Sequence, residues 1–491
     1  MSKSVKIIGS VVVASALWLG GTAYLSSNTQ KHLERYVNQV NKIYEANGMK
    51  LSLEQFNKGF FSSEAKMSID FSNPELKKML EQNIKLPIET EYEIENGPLF
   101  FKNGLGVGLS RMSNHLNLND YFVANSEIKK VLKRDIILDS ITTIGFTKNA
   151  TFDASTTEIE LDVEGEKLKI SPLQVEGNMN IESFVGEITM RSDSLLIGND
   201  KEFVKSNDIH MDMKITEFFD NGFYLGDIAL KAEDISTKGL DLPFEFEKAK
   251  MSMDIKISKN SDETVNMDMM IKGNSGSSKL PDAYAFLKQG EINYALHGMK
   301  LEGLLAFQDF TKKIQAKQAD IMSRLISSST GEMDMAVYAE LEAMQKETVN
   351  GMIALVPSIL KKDSSALTFA IDLEDKASKK STLAMNLGYI GKKELPKDVK
   401  ELEAFFKKEF RNLFSLDVDV ELEKDYIANL PMELQQGLAG ELQMGAMMGI
   451  VKENNASYSF SAKVKPNKLM LNGEDRSAML EMLDQSMAIG Q

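Results

Sequence analysis

Apolar and polar side chains alternate with period two through most of the chain from about residue 87 to 273. Clear cases are Glu158-Ile-Glu-Leu-Asp-Val163, His210-Met-Asp-Met-Lys-Ile215, Met251-Ser-Met-Asp-Ile-Lys-Ile257 and Val265-Asn-Met-Asp-Met-Met-Ile271. The same pattern runs through Leu51–Phe56 and Ala65–Phe71. Such alternation sends successive side chains to opposite faces of a strand. Turn signals at Glu164-Gly165, Glu176-Gly177, Asn221-Gly222 and Gly273-Asn274 divide the series, which predicts a long antiparallel sheet joined by hairpins.

Helical spacing interrupts this pattern. Over residues 28–47 the apolar points are Leu33, Tyr36, Val37, Val40, Ile43 and Tyr44, with Asn47-Gly48 as the stop. A short helix is expected from Pro74 to Gln82, and two long amphipathic helices over Leu301–Ser327 and Met333–Leu360, the second ended or kinked by Pro357. Their apolar faces need a sheet or each other. Strands return at 366–373, 381–387, 414–422 and 457–473, with helices at about 397–412 and 425–452, the latter broken at Pro431. Residues 281–362 thus read as a change of character. The expected class is α+β: an N-terminal membrane helix, then a long antiparallel β-sheet body with amphipathic helices packed on it. The expected division is 1–27 as anchor or signal peptide, 28–280 as a β-rich extracytoplasmic domain and 281–491 as an α+β extracytoplasmic domain.

The anchor rests on one charge-free run from Ile7 to Leu25, containing Ile8, Val11, Val12, Val13, Leu17, Trp18 and Leu19. As a helix it spans roughly 28 Å, close to the hydrocarbon thickness of a bilayer. Lys3 and Lys6 precede it, favouring a cytoplasmic N-terminus, and Trp18 and Tyr24 lie toward the far end. Gly21-Thr22-Ala23 suits a signal-peptide cleavage site, the alternative to a retained anchor. Either reading exports the body.

One face of the alternating strands is rich in methionine: Met211 and Met213, Met251 and Met253, Met267 and Met269, with Ile215, Ile255, Ile257 and Ile271. The other face carries Asp212, Lys214, Ser252, Asp254, Lys256, Asp268 and Lys272. A core beneath helices is one reading. An adaptable apolar groove is the other, since thioether chains fit varied shapes.

Composition narrows the chemistry. A formal net charge of −15 opposes nucleic-acid binding, which depends on neutralising phosphates with Lys and Arg. No cysteine is present, which removes disulfides, thiolate nucleophiles and Cys-ligated zinc. Histidines stand apart at His32, His115, His210 and His297. Gly104, Gly106 and Gly108 have the wrong spacing for a dinucleotide fingerprint and suit a loop or bulge. Neither a phosphate loop nor a His-Glu-x-x-His motif nor a nucleophile elbow occurs. No cofactor, metal or catalytic residue is expected.

Asn57-Lys-Gly-Phe-Phe-Ser-Ser63 after an N-terminal apolar run, together with Glu95-Asn-Gly-Pro-Leu99 and the closing Lys468-Leu-Met-Leu-Asn-Gly473, resembles the YdgA-like family of Gram-negative envelope proteins, whose function is unassigned. The resemblance implies an inner-membrane anchor, a periplasmic body and, by one relative, a homodimer. It brings no catalytic residues. The family commonly has His before Gly-Pro where this chain has Asn96. Read on its own, Lys58-Gly-Phe-Phe-Ser62 suggests a hairpin corner filling the core, with Gly59 allowing a positive φ or a bulge and Phe60 and Phe61 on opposite faces of a strand.

These features lead first to a single-pass inner-membrane protein with a periplasmic body acting as a binding or scaffold protein, its partner an apolar ligand or an envelope protein. The alternatives are handling of lipid or another apolar ligand through the methionine-rich groove, and hydrolysis of an envelope polymer.

Overall fold

The computed structural model describes residues 49–480, apart from 72–73, 241–244, 279–285, 328–334, 392–394, 397–400, 402–403, 406–408, 410 and 431; before residue 49 it describes Val37, Asn38 and Asn41. The expected anchor, including Ile7 to Leu25, His32 and most of the 28–47 helix lie outside these residues. The described body is a mostly antiparallel, β-rich α+β fold. Among the described residues no helix is long and apolar enough to cross a membrane.

The chain forms two compact units. The first comprises residues up to Leu230 together with Phe307–Val349; the second comprises Lys231–Ala306 and Asn350 onward. In the first, β1 (Met49–Asn57), β2 (Ser62–Phe71), the helix α1 (Pro74–Glu81) and β3 (Ile88–Asn96) are followed by a small hairpin of β4 (Leu99–Phe100) and β5 (Gly106–Val107). Then come β6 (Ser110–Asn117), α2 (Glu127–Val131), β7 (Ile137–Ile144), β8 (Asn149–Thr156), β9 (Ile159–Val163) and β10 (Glu166–Ile170). The unit continues with β11 (Gln174–Asn180), β12 (Gly186–Gly198), β13 (Phe203–Phe218) and β14 (Tyr224–Lys238), the last running past Leu230. Antiparallel pairing runs β1, β2, β3, β6, β7, β8, β11, β12, β13, while β10 pairs both β9 and the far half of β12.

Period two is rendered literally here. Along β3, β6, β7 and β8 alternate residues are buried. Their inward side chains, among them Tyr92, Ile94, Met112, Leu138 and Phe152, form one sealed core. Gly177 lies within β11, directly opposite Phe152, where a Cβ would come within 2.2 Å of the Phe152 ring. Glu176-Gly177 is therefore not the expected turn; the glycine makes room for an aromatic ring in mid-strand. Glu164-Gly165 and Asn221-Gly222 are turns as expected. Val37 packs into the core, and Asn41 fixes the incoming chain: its side chain donates to the Leu51 carbonyl at 2.9 Å and accepts from the Leu51 amide at 2.8 Å.

The second unit contains β15 (Ala249–Lys259), β16 (Thr264–Asn274) and β17 (Leu287–Lys300), then the start of α3 (Leu301–Ser327) and the end of α4 (Met335–Ile359). After these follow β18 (Ala366–Asp375), β19 (Lys380–Tyr389), β20 (Phe414–Glu423), α5 (Lys424–Ala428), α6 (Met432–Met447), β21 (Lys452–Glu453), β22 (Ser457–Lys465) and β23 (Lys468–Leu471). Gly273-Asn274 ends β16 rather than forming a turn. β17 occupies a stretch expected to be the start of a helical region; Ile292, Tyr294 and Leu296 alternate there as in any strand. Pro357 lies in the last turn of α4, which ends at Ile359. Ile321 of α3 and Val337 and Met344 of α4 form their own small cluster, so each helix meets part of its need for apolar cover from the other.

Candidate functional site

Strands β15, β16, β17, β18, β19, β20 and β22 pair antiparallel in that order, and their registers align the apolar positions into rows. One row runs Ile257, Met267, Leu296, Leu367, Leu387, Leu416, Val464. The next runs Ile255, Met269, Tyr294, Phe369, Met385, Val418, Ala462, and a third Met253, Ile271, Ile292, Ile371, Leu383, Val420, Phe460. No charged residue stands in these rows. At about 4.8 Å per strand they extend for roughly 29 Å. The strand-by-strand alternation accounts for this: a one-residue slip at any pairing would put charges into the rows.

The other face is polar. Lys256 pairs with Asp268, Lys272 with Glu291 and Asp419 with Ser461. His297 lies 2.8 Å from Asp268, and Lys288 lies 2.6 Å from Glu374. The hydrogen bond from Lys288, helped by Gln289, lowers the Glu374 pKa from its ordinary value. A shallow cleft of about 310 Å³ on this face is lined by Thr382, Asp419, Glu421, Ser459 and Ser461, among others.

Burial on this apolar face differs from that in the sealed core of the first unit. None of the side chains in the three rows on β15 to β20 is buried. Ile292 is 40% exposed and Leu383 36%, and Met251, at the margin, is 45% exposed. Beside Met251 the face is cut back by Gly273 opposite Gly290, and a Cβ at Gly273 would meet nothing within 4 Å. Side chains in the sealed core of the first unit are almost fully removed from water.

Of the sequence-selected methionines, Met253, Met267 and Met269 share the apolar face, with Met251 at its margin. Met211 and Met213 belong to the first unit, opposite Met190 and Ile188 on β12. Their outward neighbours are polar as expected: Lys214 lies 2.8 Å from Glu187, and Thr189 donates to Asp212 at 2.8 Å. Sequence reasoning missed Tyr294, Phe369, Ile371, Met385 and Leu383 as members of the face; their alternation was visible, but which strand lies beside which was not. Each described histidine is a satisfied polar group beside one aspartate. His115 lies 2.6 Å from Asp139, and His210 lies 2.5 Å from Asp212. These pairs lie on part-exposed strands. Among the described residues no group of three or more His, Asp or Glu side chains could hold a metal ion.

A second apolar surface lies at one end of the first unit. Phe60 and Phe61 occupy the β1–β2 turn, 87% and 79% exposed, with rings 4.8 Å apart and perpendicular. They neither fill the core nor lie on opposite faces of a strand, and Gly59 has no positive φ. Instead a Cβ at Gly59 would come within 1.9 Å of the Ser62 carbonyl oxygen, so the tightness of the turn requires glycine and pushes both rings outward. The hairpin of β4 and β5 adds exposed Leu99, Phe101, Leu105 and Val107, and the β7–β8 turn adds Phe146. Asn96 binds the two sequence motifs together: its side-chain amide donates to the carbonyls of Gly59 (3.1 Å) and Phe60 (3.4 Å) and to the Ser63 hydroxyl (3.2 Å). Removing these bonds in Asn96→Ala should destabilise the turn by about 1–2 kcal/mol. Hydrogen exchange at Phe61 and Ser62 should then speed up while β6 and β7 stay protected; unchanged exchange at the turn would contradict the tie.

The comparisons with known proteins fit this picture of a body without assigned chemistry. An uncharacterized protein of Escherichia coli (strain K12), YihF, is 32% identical over 97 residues, covering 18% of this chain and 20% of that protein. The chain thus matches about a fifth of that relative's length. No solved structure matches. A family model described as a bacterial protein of unknown function, DUF945, matches residues 1–478, a span compatible with the resemblance to YdgA-like proteins; the chain belongs to the DUF945 family.

Proposed function

We propose that this protein is a membrane-tethered, extracytoplasmic binding protein of the bacterial envelope that holds lipid acyl chains on the apolar face of its second unit. One observation carries the reading: three uninterrupted apolar rows run in register over the six strands β15 to β20 without being buried, and end on β22, where Ala462 is buried with Phe460 and Val464 packed against it. Leaving so much apolar surface in water is unfavourable by about 25 cal/mol per Å², and exposed patches of this size mark binding surfaces. A long, narrow, uncharged strip suits an extended hydrocarbon chain better than a folded protein domain, which brings polar groups needing partners. Methionine, with three flexible bonds and a polarisable sulfur, lets the strip fit chains of different length and unsaturation.

The membrane tether is proposed from the charge-free run Ile7–Leu25 with Lys3 and Lys6 before it. It would keep the strip beside a source of lipid. The test is native mass spectrometry of the full-length protein extracted from bacterial membranes. Adducts with the masses of phospholipids or fatty acids are expected; protein free of lipid under conditions that retain lipid on a known carrier would refute the proposal.

A further inference from the structure

The exposed aromatic end of the first unit is separate from the acyl-chain face in residues and in unit. We propose that it is a second membrane-contact surface, a hydrophobic tip that enters the interfacial layer of a lipid bilayer.

The tip is built from adjacent turns. The β1–β2 turn bonds to β3 through Asn96, the Gly97 amide donates to the Leu109 carbonyl, and the Leu109 amide donates to the Ile144 carbonyl before the β7–β8 turn. Further along the same edge, the Ile181 amide donates to the Lys148 carbonyl within that turn. The apolar groups are held outward. Glu95 accepts from the amides of Phe101 and Lys102 at 2.9 and 2.8 Å, and Arg111 donates to the carbonyls of Lys102 and Gly104 at 3.0 and 2.6 Å. A Cβ at Gly106 would strike the Arg111 guanidinium, and one at Gly108 would come within 2.5 Å of the Ile144 carbonyl oxygen. The turn backbones are fixed while their aromatic side chains stay in water. Phe101 is 70% and Leu105 85% exposed.

The occupant follows from shape and apolarity. Rings standing on separate turns suit a fluid partner that closes around each one, and apolar surfaces of Phe and Leu side chains enter the boundary between headgroups and acyl chains. Lys58 flanks the rings; Lys102 and Lys148 are ion-paired with Glu93 and Glu182, so the attraction is apolar rather than electrostatic. Chain length agrees. Sixteen positions separate Asn41 from Leu25, a reach of about 24 Å even at the short rise of a helix, against about 20 Å for β1 from Leu51 to its end at the tip. The chain is therefore long enough for a tether at Ile7–Leu25 to reach the same bilayer as the tip.

The chain has no cysteine, so single substitutions can be labelled cleanly. Full-length Phe101→Cys and Leu105→Cys, carrying an environment-sensitive fluorophore, are reconstituted into vesicles of phosphatidylethanolamine and phosphatidylglycerol. Lys130→Cys in α2, on the β6–β7 connection at the other end of these strands, is the control. The tip labels should shift to the blue and be quenched at least twofold more by shallow spin-labelled lipid than by aqueous iodide, whereas the Lys130 label behaves as in water. Tip labels quenched by iodide like the control would overturn the proposal. So would a blue shift that depends on protein density and is lost at one copy per vesicle, which would assign the tip to self-association. Neither outcome bears on whether the second unit carries acyl chains.

Discussion

Phe369→Asp should abolish lipid retention while leaving the fold intact. Phe369 sits at the middle of the central apolar row, between Tyr294 and Met385, and is half-buried. Without ligand the new carboxylate reaches water, so the stability cost should stay within about 1 kcal/mol, as for substitutions outside a core. With an acyl chain across it, the charge would be desolvated without a partner. A penalty of about 3 kcal/mol lowers affinity roughly 100-fold. Thr368→Asp, one residue away on the polar face opposite Asn386, provides the comparison and should retain lipid. Equal loss from both variants, or from neither, would separate binding from the apolar rows.

The largest effect on stability is expected in the other unit. Phe152 is 3% exposed, and its ring occupies the space that Gly177 leaves on the neighbouring strand. Phe152→Ala removes the ring and leaves a cavity that strand β11 cannot close without moving its backbone, at a cost of about 3–5 kcal/mol. Hydrogen exchange should show lost protection in β8 and β11, and thermal melting of the first unit should fall by roughly 6–20 °C. A shift below 2 °C would mean the Phe152–Gly177 packing is not the constraint described.

The contrast between these two substitutions reflects how the sequence encodes the two units. Alternation at β3, β9, β10, β15 and β16 is readable because Ile and Met repeat against charged neighbours. It is weaker at β6, where Ser110-Arg-Met-Ser-Asn-His-Leu-Asn117 buries Ser110 and Asn114 as well as Met112 and Leu116. Asn114 belongs inside because it donates to the Thr90 hydroxyl at 3.2 Å and accepts from Ser140, partners that lie on other strands. Gly177 looked like a turn because its reason, the ring of Phe152, is 25 residues away in sequence. Phe60 and Phe61 looked like core because large aromatic side chains are usually buried; the Gly59 turn and the Asn96 bonds override that preference.

The candidate face was partly legible for the same reason. Met253, Met267 and Met269 announced an apolar side, yet period two is identical for a sheet face under helices and one in the open. Strand order and exposure bear on that choice, and both depend on registers that bring residue 292 beside residue 371 and residue 383 beside residue 420. Only the assembled rows reveal a strip crossing seven strands.

Tyr294 and Asn293 are neighbours on β17, pointing to the apolar and polar faces respectively. Replacing each in turn with a photo-crosslinking phenylalanine derivative and irradiating cells grown on radiolabelled fatty acid tests the acyl-chain proposal most directly. Label should attach to the protein at position 294 and not at 293. Equal labelling at both positions, or none at 294, would contradict it.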